Sequence, residues 1–169
     1  DALNAFGEIY MKQTLASGVI PQITAVFGNC GGGLAIIPTL TDFTFMEAKN
    51  AKLFVNAPNA LDGNTVDKCD SASAAFHASE SGIVDVVAEE ADLLAQIREL
   101  VTLLPGNFEE EVLDECEDDL NRVCAELAGC KGDTAIALSQ ISDNGVFFEI
   151  KEKYAPEMVT GFIKLNGMT

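Results

Sequence analysis

Tryptophan is absent from this chain, and histidine occurs once, as His77. Five cysteines stand at positions 30, 69, 116, 124 and 130, with no C-x-x-C pair among them. One histidine and unpaired cysteines leave no ligand set for a zinc site, so no metal is expected. Base is scarce: ten Lys plus Arg face 27 Asp plus Glu, a net charge of -17. That balance excludes nucleic acid and an anionic membrane surface as partners, because both need a basic face. Long apolar runs are missing too. None reaches the roughly 20 residues of a membrane span. The first residues also lack the basic and apolar regions of a secretory signal. The chain opens on Asp1 rather than Met, which reads as a piece of a longer protein.

What is present is enough for one globular domain with a core. The chain has 169 residues, 48% of them hydrophobic, and length and composition of this order support burial. An odd cysteine count without a signal points to reduced thiols in a cytoplasmic protein. The acids are uneven: Glu109 to Asp119 carries no base, which reads as a solvated segment.

Ala2 to Ala16 has the period of an amphipathic helix with Leu3, Phe6, Ile9, Tyr10, Gln13 and Leu15 toward one side, stopped at Ser17-Gly18. Val19 to Phe27 reads as a buried strand with Pro21 near its start. Leu34 to Leu40 reads as a short helix containing Pro38, Phe43 to Met46 and Leu53 to Val55 as strands, and Gly82 to Val87 as a further short strand. Residues 62–81 are small and polar and carry no period. Asp92 to Leu104 predicts a helix with Leu93, Leu94, Ile97, Leu100, Val101 and Leu104 inward, ended by Pro105-Gly106. Asp133 to Ile141 predicts another, Phe147 to Ile150 an apolar anchor and Phe162 to Leu165 a strand. Asn166-Gly167 then predicts a hairpin whose second strand is absent. Strands alternating with helices predict an α/β fold.

The densest signal is Gly28-Asn29-Cys30-Gly31-Gly32-Gly33-Leu34, after an apolar β-rich run. A P-loop would need Lys and Ser/Thr where Leu34 and Ala35 stand. A dinucleotide fingerprint would need glycine at position 30. Two readings stay open: glycines that permit tight strand-to-helix packing, and a turn offering bare backbone N–H groups to an oxyanion. Cys30 reads either as a nucleophile, for which the distant His77 offers no evident base, or as a small apolar filler. His77 by itself reads first as a partly buried structural residue.

Wider motifs extend the glycine turn. Ser17-Gly18-Val19-Ile20-Pro21-Gln22-Ile23, the glycine run itself and Pro38-Thr39-Leu40-Thr41-Asp42-Phe43-Thr44-Phe45-Met46 occur in this order. Phe54-Val55-Asn56-Ala57-Pro58, His77 through Gly82, Ile97-Arg98-Glu99-Leu100 with Leu104-Pro105, Phe147-Phe148-Glu149, Tyr154-Ala155, Gly161-Phe162 and Asn166-Gly167 follow. Over essentially its whole length the chain resembles the carboxyltransferase (β) subunit of biotin-dependent acyl-CoA carboxylases, of the propionyl-CoA and acetyl-CoA carboxylase type, in the crotonase-like superfamily.

The resemblance implies a partial domain of the ClpP/crotonase ββα-superhelix. It places residues 1–107 in the rear of the N-terminal, acyl-CoA half, residues 108–132 in an acidic linker and residues 133–169 in the lead-in to the C-terminal half. It implies carboxyl transfer from carboxybiotin to the α carbon of a short-chain acyl-CoA. Gly32 and Gly33 would supply oxyanion N–H groups, and Cys30, Gly31, Leu34, Ala57, Pro58 and His77 would line the substrate. No protein base is required, since in this family the ureido nitrogen of biotin is thought to take the proton. Lys49 and Lys52 are candidates for CoA phosphates or are merely solvated. Biotin would arrive on a biotin carboxyl carrier protein charged by a biotin carboxylase. The family assembles as a dimer-based hexamer, and this piece alone would show little activity. Ala57, Asn59, Ala72-Ser73 and Phe76 depart from the family pattern and leave the acyl group open. A family decarboxylase or transcarboxylase of methylmalonyl-CoA or glutaconyl-CoA type, and an inactive truncated paralogue or assembly module, remain alternatives. A crotonase-type hydratase or isomerase would need a Glu pair, and no acid lies between Gly28 and Leu40.

Overall fold

The computed structural model describes residues 2–130 and 132–169. Helix α1 (Ala2–Ala16) leads through a left-handed Gly18 to strand β1 (Ile23–Val26). The chain breaks at Phe27-Gly28 and resumes as β2 (Asn29–Gly31) in a different sheet. A 3-10 turn (Gly32–Ala35) continues into α2 (Ile36–Thr39). The cycle repeats: β3 (Phe43–Glu47), β4 (Lys52–Phe54), then α3 (Ala74–Phe76), which runs on as a π turn over His77–Ser81. A third pass has β5 (Val86–Ala88) and α4 (Glu90–Leu103). Each pass contributes one strand to the parallel sheet β1-β3-β5, and the first two contribute the parallel pair β2-β4. This is the ββα spiral that the resemblance implies. Beyond it, α5 (Thr134–Ile141) precedes an antiparallel pair, β6 (Phe147–Ile150) and β7 (Thr160–Ile163).

Strand β3 lies between β1 and β5, so both its edges are paired, and its side chains divide by parity between the two faces of the sheet. Met46 joins Val26, Cys30, Ala35, Leu53, Ala74 and Val84 in a cluster of mainly small residues beneath the glycine turn. Phe45 faces the other way, onto Leu93, Leu100 and Leu103 of α4 and Phe148 of β6. Glu47 is buried at the step from β3 to β4, and its carboxylate accepts from the N–H groups of Asn50 at 2.6 Å and Lys49 at 3.0 Å. Those bonds, Asn50 first, hold its pKa below the ordinary range and fix the step between sheets.

Several expectations need correction. The strand foreseen over Val19 to Phe27 is confined to Ile23–Val26, because residues 17–20 are still turning off α1, with the N–H groups of Val19 and Ile20 bonded to Ala16 O. On α1, Phe6, Tyr10 and Gln13 are half-covered, whereas Leu3, Ile9 and Leu15 are exposed. On α4, Leu94 and Val101 are exposed and Leu103 is buried in their stead, since only one row of the helix meets β3. The strand foreseen from Gly82 begins at Val86, because Gly82 is the left-handed cap of the π turn (φ 65°). The Asn166-Gly167 turn closes within the chain: Leu165 and Met168 exchange bonds of 2.8 and 3.2 Å, and Met168 bridges to Leu113 of the acidic stretch. No helix among the described residues is long and apolar enough to cross a membrane.

Candidate functional site

The glycine turn is built from its supports inward. Strand β2 pairs in parallel with β4, setting Cys30 beside Leu53 and Gly31 beside Phe54. The ring of Phe54 lies against Gly31 so closely that a Cβ there would sit 2.7 Å from it. On the other flank, a Cβ on Gly33 would stand 3.3 Å from the Phe6 ring and 3.2 Å from the Tyr10 hydroxyl. The hydroxyl of Tyr10 donates to Gly33 O, and the Gln13 amide donates to Ile37 O at 3.3 Å. Phe6 and Tyr10 stack with centroids 5.9 Å apart. Between the two clamped glycines, Gly32 has φ +61° and nothing within 4 Å of where a side chain would begin. A left-handed residue facing open space is a place where only glycine fits well and a ligand can approach the backbone. The 3-10 turn starts there, so its first N–H groups have no partner inside the helix.

Beside the turn runs a groove of about 260 Å³, walled by Val26, Phe27, Cys30, Leu34, Ile37 and Pro38. Its lining is mostly apolar, with exposed backbone at Gly28 and Asn29. Cys30 is buried, and burial pushes its thiol pKa up. That disfavours the thiolate a nucleophile needs. Its neighbours in the small-residue cluster make it an apolar filler.

His77 is 8% exposed. Its Nε2 lies 2.7 Å from Leu53 O, which can only accept, so Nε2 carries the proton and donates. Nδ1 lies 2.9 Å from Ser81 Oγ. Both ring nitrogens are therefore used within the fold, and none is offered to Cys30. Through Leu53, His77 steadies β4, the strand paired with the one that leads into the glycines. Leu34 is exposed beside the groove, Pro58 is buried and Ala57 exposed. Ala57-Pro58 opens a short 3-10 turn whose loop is tied to itself, Asn59 Oδ1 accepting from Val66 N at 2.8 Å. The structure thus gathers Cys30, Gly31, Gly32, Gly33 and Leu34 at one place, sets His77 behind β4 and puts Ala57 and Pro58 just past its end. Lys52 pairs with Asp70 at 2.6 Å and Lys49 with Glu89 at 2.8 Å, so both cations are engaged by carboxylates. Among the described residues, no cluster of three or more His, Cys, Asp or Glu could hold a metal ion.

The supports Phe6, Tyr10, Gln13 and Phe54 were not foreseen as site residues. One signal pointed to them: consecutive glycines imply that something bulky from elsewhere fills the missing side-chain space.

Residues 1–169 match the carboxyl transferase domain family. The chain is 32% identical, over 100% of its length, to the propionyl-CoA carboxylase beta chain of Roseobacter denitrificans, of which it spans 36%. It is 34% identical to the methylmalonyl-CoA decarboxylase subunit alpha of Veillonella parvula, again covering all of this chain and 36% of the relative. Among solved structures, transcarboxylase 12S with hydrolysed methylmalonyl-coenzyme A bound aligns at a TM-score of 0.88 and 31% identity, over 99% of this chain and 35% of that one. This chain therefore spans little more than a third of the relatives it matches. With the match running from end to end and the spiral superposing on a carboxyltransferase, the fold is crotonase-like and the chain belongs to the carboxyl transferase domain family.

Proposed function

We propose that this chain carries the acyl-CoA half of a carboxyltransferase site, and that the backbone N–H groups of Gly32 and Gly33 hold the thioester oxygen as it becomes an enolate oxyanion. The observation that carries this reading is the open, left-handed Gly32 between two glycines pinned by aromatic rings. Carboxyl transfer to an α carbon requires that carbon to lose a proton, and the charge moves onto the thioester oxygen. Fixed N–H groups stabilise that charge without reorganising, each worth about 3 kcal/mol by comparison with other oxyanion holes. The mostly apolar groove suits a short acyl chain. Carboxybiotin, brought by its carrier protein, supplies the carboxyl group.

On this reading residues 1–107 belong to the acyl-CoA domain, 108–132 to an acidic connection and 133–169 to the approach to a second domain. The remaining partners are a biotin carboxylase and further copies of the protein, in the cytoplasm. The paired state of Lys49 and Lys52 assigns neither to CoA phosphates. Release of the carboxyl group as carbon dioxide, or its passage to a second acceptor, would use the same oxyanion site. Similarity to a decarboxylase subunit and to transcarboxylase 12S supports that second reading.

The test is a transfer assay on the polypeptide that carries this sequence, with propionyl-CoA as acceptor and carboxylated biotin carrier as donor. Methylmalonyl-CoA is the expected product. Gly33→Pro removes one N–H while keeping a helical φ, and should lower kcat by about 10² to 10³. Turnover unchanged in that variant would overturn the oxyanion assignment.

A further inference from the structure

We infer that Tyr10 is a positioning residue for the glycine turn, acting through Gly33; this rests on the oxyanion reading above. Three consecutive glycines have no side chains of their own to lock their backbone, so they order at the highest entropic cost of any residues. An oxyanion site works only if its N–H dipoles already point the right way. The lock must therefore come from outside the turn. Phe54 supplies it at Gly31, from the neighbouring strand. At Gly33 it comes from α1, which packs its half-covered face on the turn.

The bond from Tyr10 matters more than the packing. Gly33 O also accepts from the N–H of Ile36, so the phenol occupies the second acceptor position of that carbonyl. With both filled, rotation about Gly33 costs at least one hydrogen bond. The same helix face holds Ile37 O through Gln13, so the start and the middle of the helical segment are tied to one rigid element. Tyr10 touches no reacting atom on this account; it sets where Gly32 and Gly33 point.

Tyr10→Phe keeps the ring, and hence the packing with Phe6, and removes the donor. The first readout is amide hydrogen exchange. Exchange of the Ile36 N–H, which is bonded to Gly33 O, should quicken by about three- to tenfold, the worth of one hydrogen bond, with α4 unaffected. The second is a split of kinetic constants in the assay above: kcat should fall about three- to tenfold while KM for the acyl-CoA changes less than twofold. Unchanged exchange across the turn would overturn the inference. Faster exchange with unaltered kcat, in a protein that Gly33→Pro disables, would overturn the positioning role and leave the oxyanion reading standing. If the unmutated protein transfers no carboxyl group, the oxyanion reading falls, and exchange alone decides whether Tyr10 orders the turn.

Discussion

Lys151 and Asp85 form an ion pair at the seam between the ββα spiral and the β6–β7 hairpin. Lys151 Nζ stands 3.1 Å from Asp85 Oδ1, and the Asp85 side chain is only 5% exposed. The other carboxylate oxygen, Oδ2, accepts from Thr44 N at 2.7 Å, and the Lys151 ammonium also donates to Gly82 O. Lys151 itself has a left-handed φ of 57°. One pair thus joins β3, the residue before β5, the end of the π turn and the hairpin.

Removing only the cation should leave a buried carboxylate with too few partners. Because the Lys151 side chain is 34% exposed, water offsets part of the loss. Lys151→Met is expected to destabilise the fold by about 2 kcal/mol. The double variant Lys151→Met with Asp85→Asn should cost less than the sum of the two single changes. Urea denaturation measures all three, and strict additivity would show that the pair does not act as a unit.

Leu100 and Val101 are neighbours on α4, yet only Leu100 is in the core, at 0% exposure against 54%. Leu100→Ala should cost about 2 to 5 kcal/mol through lost burial and a residual cavity. Val101→Ala should stay within about 0.5 kcal/mol. Equal losses in the denaturation midpoints would refute the burial of the Leu100 row alone.

Gly31 and Gly32 should respond differently to a methyl group. Gly31→Ala drives a Cβ against Phe54, and trimming the ring with Phe54→Leu should recover part of the loss. Gly32→Ala meets open space but forces a side chain into the left-handed region, at a cost of about 1 kcal/mol. Thermal melts of the variants and of the Gly31→Ala/Phe54→Leu double separate crowding from strain; no recovery in the double variant would refute crowding by that ring.

Asp143 is buried where α5 meets the terminal turn. Its carboxylate accepts from Gly167 N at 2.7 Å and Asn166 N at 3.1 Å. The Gly167 bond, seconded by Asn166 against the opposing effect of burial, holds its pKa below the ordinary carboxylate range. A pKa lowered on folding means stability that is present above the unfolded value and is lost as pH falls through the folded one. The stability gap between the native sequence and Asp143→Asn should therefore be steady above about pH 5 and narrow toward acid. Denaturation series at several pH values read this directly, and a gap that widens toward acid would contradict it.

Local pattern made much of this protein legible. The apolar runs at 43–46 and 147–150, the stop at Ser17-Gly18, the helix expected over 133–141 and the Asn-Gly turn each act through nearest neighbours, and each formed an element at or near its expected place. The glycine turn was legible for the same reason: three glycines between a strand and a helix admit few conformations. Strand β2 was not foreseen, because Asn29-Cys30-Gly31 has little strand character and is extended only by pairing with β4.

The amino-acid sequence by itself determined the glycine turn, the alternation of strands and helices, and the charge balance, all of which depend on residue type and spacing. Only the tertiary structure decided which row of α1 and α4 faces inward, and that His77 spends both nitrogens on Leu53 and Ser81. It also decided that Phe6, Tyr10 and Phe54 hold the glycines. Apart from His77 with Ser81, those contacts join residues more than twenty positions apart, or choose between two equally apolar helix faces. Periodicity marks a face as buriable; the partner that buries it is chosen by packing.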